Sequence, residues 1–292
     1  MTATAPTQRR ARGRRRNLAS RGNLSQLASF VALAAISVIF LAPVVWIGLT
    51  ALKTQREAMA LPPVWNFVPQ WHNFVTAWQS NDFGKSFLVT TSVSVFSVAL
   101  TLALSIPAGY VLARYRRSWL SAFEVGIMII RMLPEILFML PLYAIYQKTA
   151  LFDTQIGIIL AFQIFNMPYS AWLIRQFVSE VPVELDEAAL LDGASKWQVL
   201  WFVIVPTIRP GIVAAAVLSF IGVWTNLLLP LALTYNETPM VATTIANFKG
   251  YGTFDWPVMA AAAIVSLVPQ FLFFLFAQKY IVKGLTLGAV KG

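Results

Sequence analysis

The chain has 292 residues, of which 58% are hydrophobic and 12% are charged, and its net charge is +10. Soluble domains carry about 25% charged residues, so the composition excludes an ordinary soluble domain and predicts an all-α protein that crosses a membrane several times. There is no cysteine and a single histidine, His72. Thiol catalysis, disulfides and a multi-histidine site are therefore excluded, and no metal is expected.

The chain begins with a basic segment. Between positions 9 and 21 it contains seven arginines, which are Arg9, Arg10, Arg12, Arg14, Arg15, Arg16 and Arg21. Such a run can bind nucleic acid, but in front of a hydrophobic span it is more typical of a cytoplasmic tail that lies on anionic lipid. Residues 1–27 are interpreted as a basic cytoplasmic tail in contact with membrane lipid, and no nucleic-acid partner is expected.

Six apolar runs follow, and each is long enough for a helix to cross the hydrocarbon core, which takes about 20 residues. They lie at about 28–49, 86–112, 122–146, 155–178, 207–233 and 257–280. The first run is longer than a signal-peptide core of about 7–15 residues, so it is predicted to be retained. Residues 28–292 are accordingly predicted to form one membrane domain of six transmembrane helices.

The distribution of lysine and arginine predicts the orientation. With the N-terminus inside, sixteen of these residues lie on inside segments and five on outside segments. Because cytoplasmic segments carry the excess of positive charge, both termini are predicted to be cytoplasmic. The same rule places the segment between the fourth and fifth spans in the cytoplasm.

That cytoplasmic segment reads PVELDEAALLDGASKWQVL over residues 182–200. Its acidic residues suit the positive N-terminal end of a helix, and they are Glu184, Asp186 and Glu187. Ala188 and Ala189 let another surface approach closely, and Gly193 can end or bend the helix. The pattern predicts a short helix that presents small and acidic side chains to a partner.

The same residues resemble a cytoplasmic motif of bacterial ABC importer permeases. That motif reads Glu-Ala-Ala, three residues, Gly, nine residues, Ile, one residue, Leu-Pro. It is matched here, with valine at two apolar positions, by Glu187, Ala188, Ala189, Gly193, Val203, Val205 and Pro206. Asp192 is also similar to the family. The ending, residues 278–292, resembles the MalG-type branch of carbohydrate permeases, as does Trp224-Thr-Asn226, where that branch more often has Trp-Asn-Glu.

The resemblance implies a type I ABC importer permease fold in the bacterial cytoplasmic membrane and a sugar as the solute. In that family the motif forms a coupling helix that docks on the ATP-hydrolysing subunit. The resemblance assigns this role to Glu187, Ala188, Ala189, Asp192 and Gly193. It also implies a second homologous permease, two ATPase subunits and an extracytoplasmic solute-binding protein as partners, with transport by alternating access.

ATP chemistry is expected on a partner chain. The sequence contains no G-x-x-x-x-G-K-[ST] loop. It also offers no acid–base pair or nucleophile group at the membrane face. The chain is therefore expected to bind no cofactor and to catalyse no reaction, while ATP and Mg²⁺ are expected on the ATPase.

Charged residues inside a membrane are costly, and they are often functional. Arg131 and Glu135 are four residues apart in the predicted third span, so they can pair on one helix face. Either they form an internal ion pair, or they line the substrate route. Further candidates for the lining, which can equally join helices, are Asn166, Tyr169, Trp224 and Asn226.

The outer loop at about 234–256 is expected to contact the solute-binding protein, as its counterpart does in related systems, or else to be a plain surface loop. The candidate contact residues are Lys249, Gly250, Tyr251 and Gly252. Among other functions, an ion-driven secondary transporter would need intramembrane carboxylates, and only Glu135 lies deep in a span. Permeases for a polyol or a glycerol-phosphate also stay open.

Overall fold

The computed structural model describes residues 9–115, 118–248 and 254–289. Within these ranges the regular secondary structure is helical and no β-strand occurs, which confirms the prediction of an all-α protein. In chain order the α-helices are α1 (Arg9–Ala51), α2 (Gln55–Ala58), α3 (His72–Gln79), α4 (Phe83–Arg114), α5 (Ser118–Met132), α6 (Ile136–Lys148), α7 (Gln155–Ser179), α8 (Glu184–Leu191), α9 (Lys196–Gln198), α10 (Val205–Thr207), α11 (Arg209–Trp224), α12 (Leu228–Leu233), α13 (Val241–Ala246) and α14 (Trp256–Ala289).

Among the described residues, four unbroken helical segments are long and apolar enough to cross a membrane. They are Ser29–Ala51, Phe83–Arg114, Gln155–Ser179 and Trp256–Lys279, with mean hydropathy between 1.4 and 2.6. These segments match the predicted first, second, fourth and sixth spans to within a few residues. The helix α1 begins at Arg9, so it continues through the boundary predicted at residue 27 without a break.

The other two predicted spans, 122–146 and 207–233, are each interrupted in the structure, so the prediction of six transmembrane helices is confirmed only in part. In the first, α5 ends at Met132 and α6 begins at Ile136. Pro134 lies in this break, and proline lacks the N–H that would continue the helix while its ring crowds the carbonyl four residues earlier. Two helices therefore replace one.

The break in the predicted fifth span has a similar cause. The helix α11 ends at Trp224 and α12 begins at Leu228. Pro230 cannot donate to the carbonyl of Asn226, which a continuous helix would require. The Asn226 side chain instead accepts a hydrogen bond from the backbone N–H of Leu229 at 3.0 Å. This contact satisfies one of the free donors at the start of α12.

The centre of the fold is the contact between α4 and α7, with α11 packed against both. One face of α4 consists of small polar residues spaced three or four apart, so they lie along a single line of the helix. All are fully buried, and they are Ser86, Thr90, Ser94, Ser97, Thr101 and Ser105. Small side chains let helix backbones approach closely in a membrane, which explains why this helix forms the core.

By contrast, α1 lies at the edge of the fold. In the most apolar stretch of its membrane segment, no residue is buried against the rest of the chain. Its main packing partner is α14. The exposed apolar surface of α1 is therefore available to lipid or to another membrane subunit.

Candidate functional site

The helix α8 contains the Glu-Ala-Ala sequence, and its end is well defined. The N–H of Ala194 donates to the carbonyl of Ala189 at 3.0 Å, and the N–H of Gly193 donates to that of Leu190 at 3.1 Å. Gly193 has φ +85°. This is the Schellman arrangement, which requires a left-handed residue and so favours glycine at this position. Gly193 therefore ends α8 and turns the chain away from it.

The outer surface of α8 is open. Glu187, Ala188, Asp192 and Gly193 are exposed, and a Cβ added to Gly193 would meet no atom within 4 Å. Leu191 is 89% exposed beside them. Ala189 instead faces inward and packs on a buried apolar cluster. Four of the five predicted coupling residues thus share an exposed surface, while Ala189 supports it from below.

The inner surface of α8 is held by a buried ion pair. Asp186 is 5% exposed. Its carboxylate accepts hydrogen bonds from Arg114 Nε at 2.9 Å and Arg114 Nη2 at 3.0 Å, and a third from the Tyr110 hydroxyl at 2.9 Å. A two-point contact between guanidinium and carboxylate fixes geometry as well as charge. It ties α8 to the last turns of α4.

Sequence reasoning missed this anchor. It treated Asp186 only as a favourable charge at the start of a helix, and Arg114 only as one of the inside cations. A usable signal was present, because Asp186 and Ala189 are three residues apart and so share one face of a helix. Since Ala189 belongs with the apolar residues, an acid on its face needs a buried partner.

Beyond α8 the chain bends back into the membrane domain. Ser195 and Gln198 form a reciprocal capping box that starts the next helical segment. Val199–Ile204 is a π-helix that ends two residues before Pro206, whose missing N–H disturbs the regular ladder. The segment Lys196–Thr207 then meets α11 at 81°. The helix α8 is therefore linked to α4 by an ion pair and to α11 by a bent helix.

A second polar contact joins the two helix breaks within the membrane domain. Asn226 Nδ2 donates to both carboxylate oxygens of Glu135, at 2.9 and 3.0 Å. Because Asn226 Oδ1 also accepts from Leu229, the amide is bonded at both ends. The sequence placed both residues in the same candidate lining, and the structure brings them into contact. The side chain of Arg131 lies outside the part of the chain that the structure describes.

The other candidate lining residues that the structure describes are largely buried or packed against aromatic rings. Trp224 is 2% exposed, and its Nε1 donates to the carbonyl of Ser266 in α14 at 3.0 Å. Asn166 is 8% exposed, and its Nδ2 has no partner among the described residues. The ring of Tyr169 stacks on Trp172, with centroids 6.1 Å apart. The predicted loop contacts Lys249, Gly250, Tyr251 and Gly252 lie outside the described residues.

The geometry offers no metal centre, because the described residues contain no group of three or more histidine, cysteine or acidic side chains able to hold an ion. What it offers is an exposed, anchored helix and a polar contact between interrupted helices. Residues 105–287 match the family described as "Binding-protein-dependent transport system inner membrane component". The chain belongs to this family.

Characterised relatives of this permease cover almost its whole length. It is 34% identical to the trehalose transport system permease SugB of Mycobacterium tuberculosis, over 86% of this chain and 93% of that protein. It is 30% identical to the sulfoquinovosyl glycerol transport system permease SmoH of Agrobacterium fabrum, over 90% and 93%. A resemblance to ABC permeases was predicted from the Glu-Ala-Ala motif, and these matches confirm it.

The permease also shares its fold with a solved transporter. A chain of the bacterial ABC transporter for import of the acidic polysaccharide alginate aligns over 95% of this permease and 99% of its own length, with a TM-score of 0.71 and 20% identity. Family and fold make the chain a multi-pass transport subunit of the bacterial inner membrane rather than an enzyme. Membership of a binding-protein-dependent family argues against the alternative of an ion-driven secondary transporter.

Proposed function

We propose that this chain is the permease subunit of an ATP-driven sugar importer that works by alternating access. The single observation that carries the proposal is the exposed Glu-Ala-Ala surface of α8, held on a buried ion pair in a permease of this family. Relatives named for diacetylchitobiose and for melibiose, raffinose and stachyose support a sugar as the solute. Alginate, imported by the transporter of similar fold, is also a saccharide.

The coupling surface consists of Glu187, Ala188, Ala189, Asp192 and Gly193, and its partner is an ATPase subunit that holds ATP and Mg²⁺. The full complex contains a second homologous permease, two ATPase subunits and an extracytoplasmic solute-binding protein. Closure of the ATPase pair moves α8. The ion pair to α4 and the bent connection to α11 carry that movement into the membrane helices.

Six spans are proposed, with α5 and α6 as the broken third and α11 and α12 as the broken fifth. Both termini lie in the cytoplasm, because the positive charges are concentrated on that side. The absence of native cysteine allows a clean test. We expect a membrane-impermeant maleimide added to intact spheroplasts to label Asn236→Cys but not Ser195→Cys, which should react only after lysis. Labelling of Ser195→Cys in intact cells would contradict the orientation.

The Glu135–Asn226 contact is proposed as part of the solute route, since it links the two interrupted spans. Substrate hydroxyls can exchange for the Asn226 amide as the breaks move apart. Trp224, Asn166, Tyr169 and Arg131 are kept as further candidates for this route. Trp224 and Asn166 are largely buried within this chain, so they would contribute only in another conformation.

Sugar uptake into proteoliposomes that contain the whole complex tests the function. With ATP inside and the solute-binding protein outside, we expect ATP-dependent accumulation of a labelled sugar from a panel that also contains a polyol and glycerol phosphate. Asn226→Ala removes the amide group that donates two hydrogen bonds to the Glu135 carboxylate. The loss of hydrogen bonds to a charged group should lower uptake about tenfold.

Thr225→Ala is the matched control, because the Thr225 hydroxyl donates to the carbonyl of Ile221 at 2.8 Å and to no other described residue. It should transport at nearly the wild-type rate. Accumulation of the polyol or glycerol phosphate in place of every sugar would contradict the proposed solute. Equal uptake by Asn226→Ala and wild type would contradict the proposed role of the polar contact.

A further inference from the structure

The segment between α12 and α13 carries a short exposed tip. Tyr235, Asn236 and Glu237 are all exposed, and Tyr235 is 71% exposed. The chain is buried close to it on both sides, since Leu233 is 1% exposed and Thr238 is 2% exposed. A three-residue tip therefore projects from a firmly packed base.

The backbone of this tip is held by one carboxylate. Asp153 Oδ1 accepts from the N–H of Tyr235 at 2.7 Å and from that of Thr238 at 2.9 Å, and Oδ2 accepts from the N–H of Glu237 at 2.9 Å. The Asp153 carbonyl also accepts from the Thr238 hydroxyl at 2.8 Å. Hydrogen bonds to an ionised acceptor are roughly twice as strong as neutral ones, so this side chain determines the path of the tip.

The helix α4 also supports this segment. Lys85 Nζ donates to the carbonyl of Asn236 at 2.8 Å. Farther along, the Thr90 hydroxyl accepts from the N–H of Val241 at 2.9 Å. Asp153 lies in the turn between α6 and α7, so the tip is held by two different parts of the membrane domain. Its backbone is fixed while its side chains point outward.

This arrangement suits recognition of another protein. A surface segment whose backbone is already ordered loses little entropy on binding, and an exposed tyrosine is a residue type enriched in interfaces. The proposed orientation places the tip on the extracytoplasmic side. We propose that Asp153 is a positioning residue that presents Tyr235–Glu237 to the extracytoplasmic solute-binding protein. The inference rests on the proposed function, because it requires such a partner.

Asp153→Asn tests the proposal, because it keeps the shape but replaces one acceptor oxygen with an NH₂ group that faces backbone donors. With the whole complex in nanodiscs, we expect the affinity for the solute-binding protein to fall about tenfold, in line with the loss of one or two charged hydrogen bonds. Basal ATP hydrolysis without the binding protein should not change. Hydrogen exchange at residues 235–238 should become faster.

Asp82→Asn is the matched control, since Asp82 is an exposed aspartate on the same proposed side, has a similar φ of 54° and makes no side-chain cap hydrogen bond. It should bind the solute-binding protein like wild type. If Asp153→Asn binds it like wild type, the inference is overturned. It is also overturned if the variant loses basal ATP hydrolysis and thermal stability together, since that would show a purely structural role. If the wild-type complex itself does not respond to any solute-binding protein, the proposed function fails instead.

Discussion

Glu187→Arg combined with Gly193→Trp should release the ATPase from the complex while the second permease stays bound. Both residues lie on the exposed surface of α8, so the changes reverse a charge and add bulk where a partner would dock. The left-handed backbone at Gly193 adds about 1–2 kcal/mol of local strain for any other residue. Interface residues of this kind contribute about 2 kcal/mol or more, so the copurified ATPase should drop at least tenfold.

The measurement is affinity purification from detergent-solubilised membranes, with each subunit quantified. Glu180→Arg is the matched control, because it reverses the charge of another exposed acid just after α7 but outside α8. That variant should keep the ATPase. If the double variant retains the ATPase in wild-type amount, α8 is not the docking surface. If wild type copurifies with no ATPase, the importer proposal itself fails.

Asp186→Ala should abolish transport while the ATPase stays bound. The outer surface of α8 is unchanged in this variant, but the buried guanidinium of Arg114 loses its carboxylate. The two side chains are only 9% and 7% exposed. Removal of one partner from a buried pair costs about 3–5 kcal/mol, because the remaining charge is left uncompensated. The helix should therefore dock without passing its movement to α4.

Uptake and copurification measured side by side separate these two effects. Arg114→Ala should behave like Asp186→Ala, and the double alanine variant should be less damaged than the sum of the single variants, since it leaves no unpaired charge. Glu124→Ala is the matched control. It breaks the Glu124–Arg175 pair, whose side chains are 20% and 32% exposed, so solvent screening limits its contribution to about 0–1 kcal/mol. Wild-type uptake by Asp186→Ala would contradict the coupling role of the ion pair.

The sequence predicted the fold best where hydropathy alone decides the outcome. Four long apolar runs became four long helices because a bilayer leaves the backbone few other ways to satisfy its hydrogen bonds. It left the outcome open where proline interrupts an apolar run. Pro134 and Pro230 were compatible with a kinked helix or with two separate helices, and hydropathy does not distinguish these outcomes.

The sequence predicted the local helical structure of the candidate site, but it did not predict which distant residues contact each other there. The motif identified Glu187 and Gly193, because local chemistry explains a helix start and a helix end. It could not find Arg114 opposite Asp186, since 72 positions separate them in the chain. The contact of Glu135 with Asn226 could not be found for the same reason, since these residues are 91 positions apart. Such pairs depend on how α4, α7 and α11 pack, which single-sequence periodicity does not contain.

The position of α1 bears on how the protein is made. The helix α1 leaves the ribosome well before α14, which is its main packing partner. During synthesis α1 must therefore remain in the bilayer without help from the rest of the chain. Its membrane segment has a mean hydropathy of 2.6, the highest of the four long segments, and this gives it the strongest independent tendency to insert. The contact between α1 and α14 thus forms only after translation has reached α14.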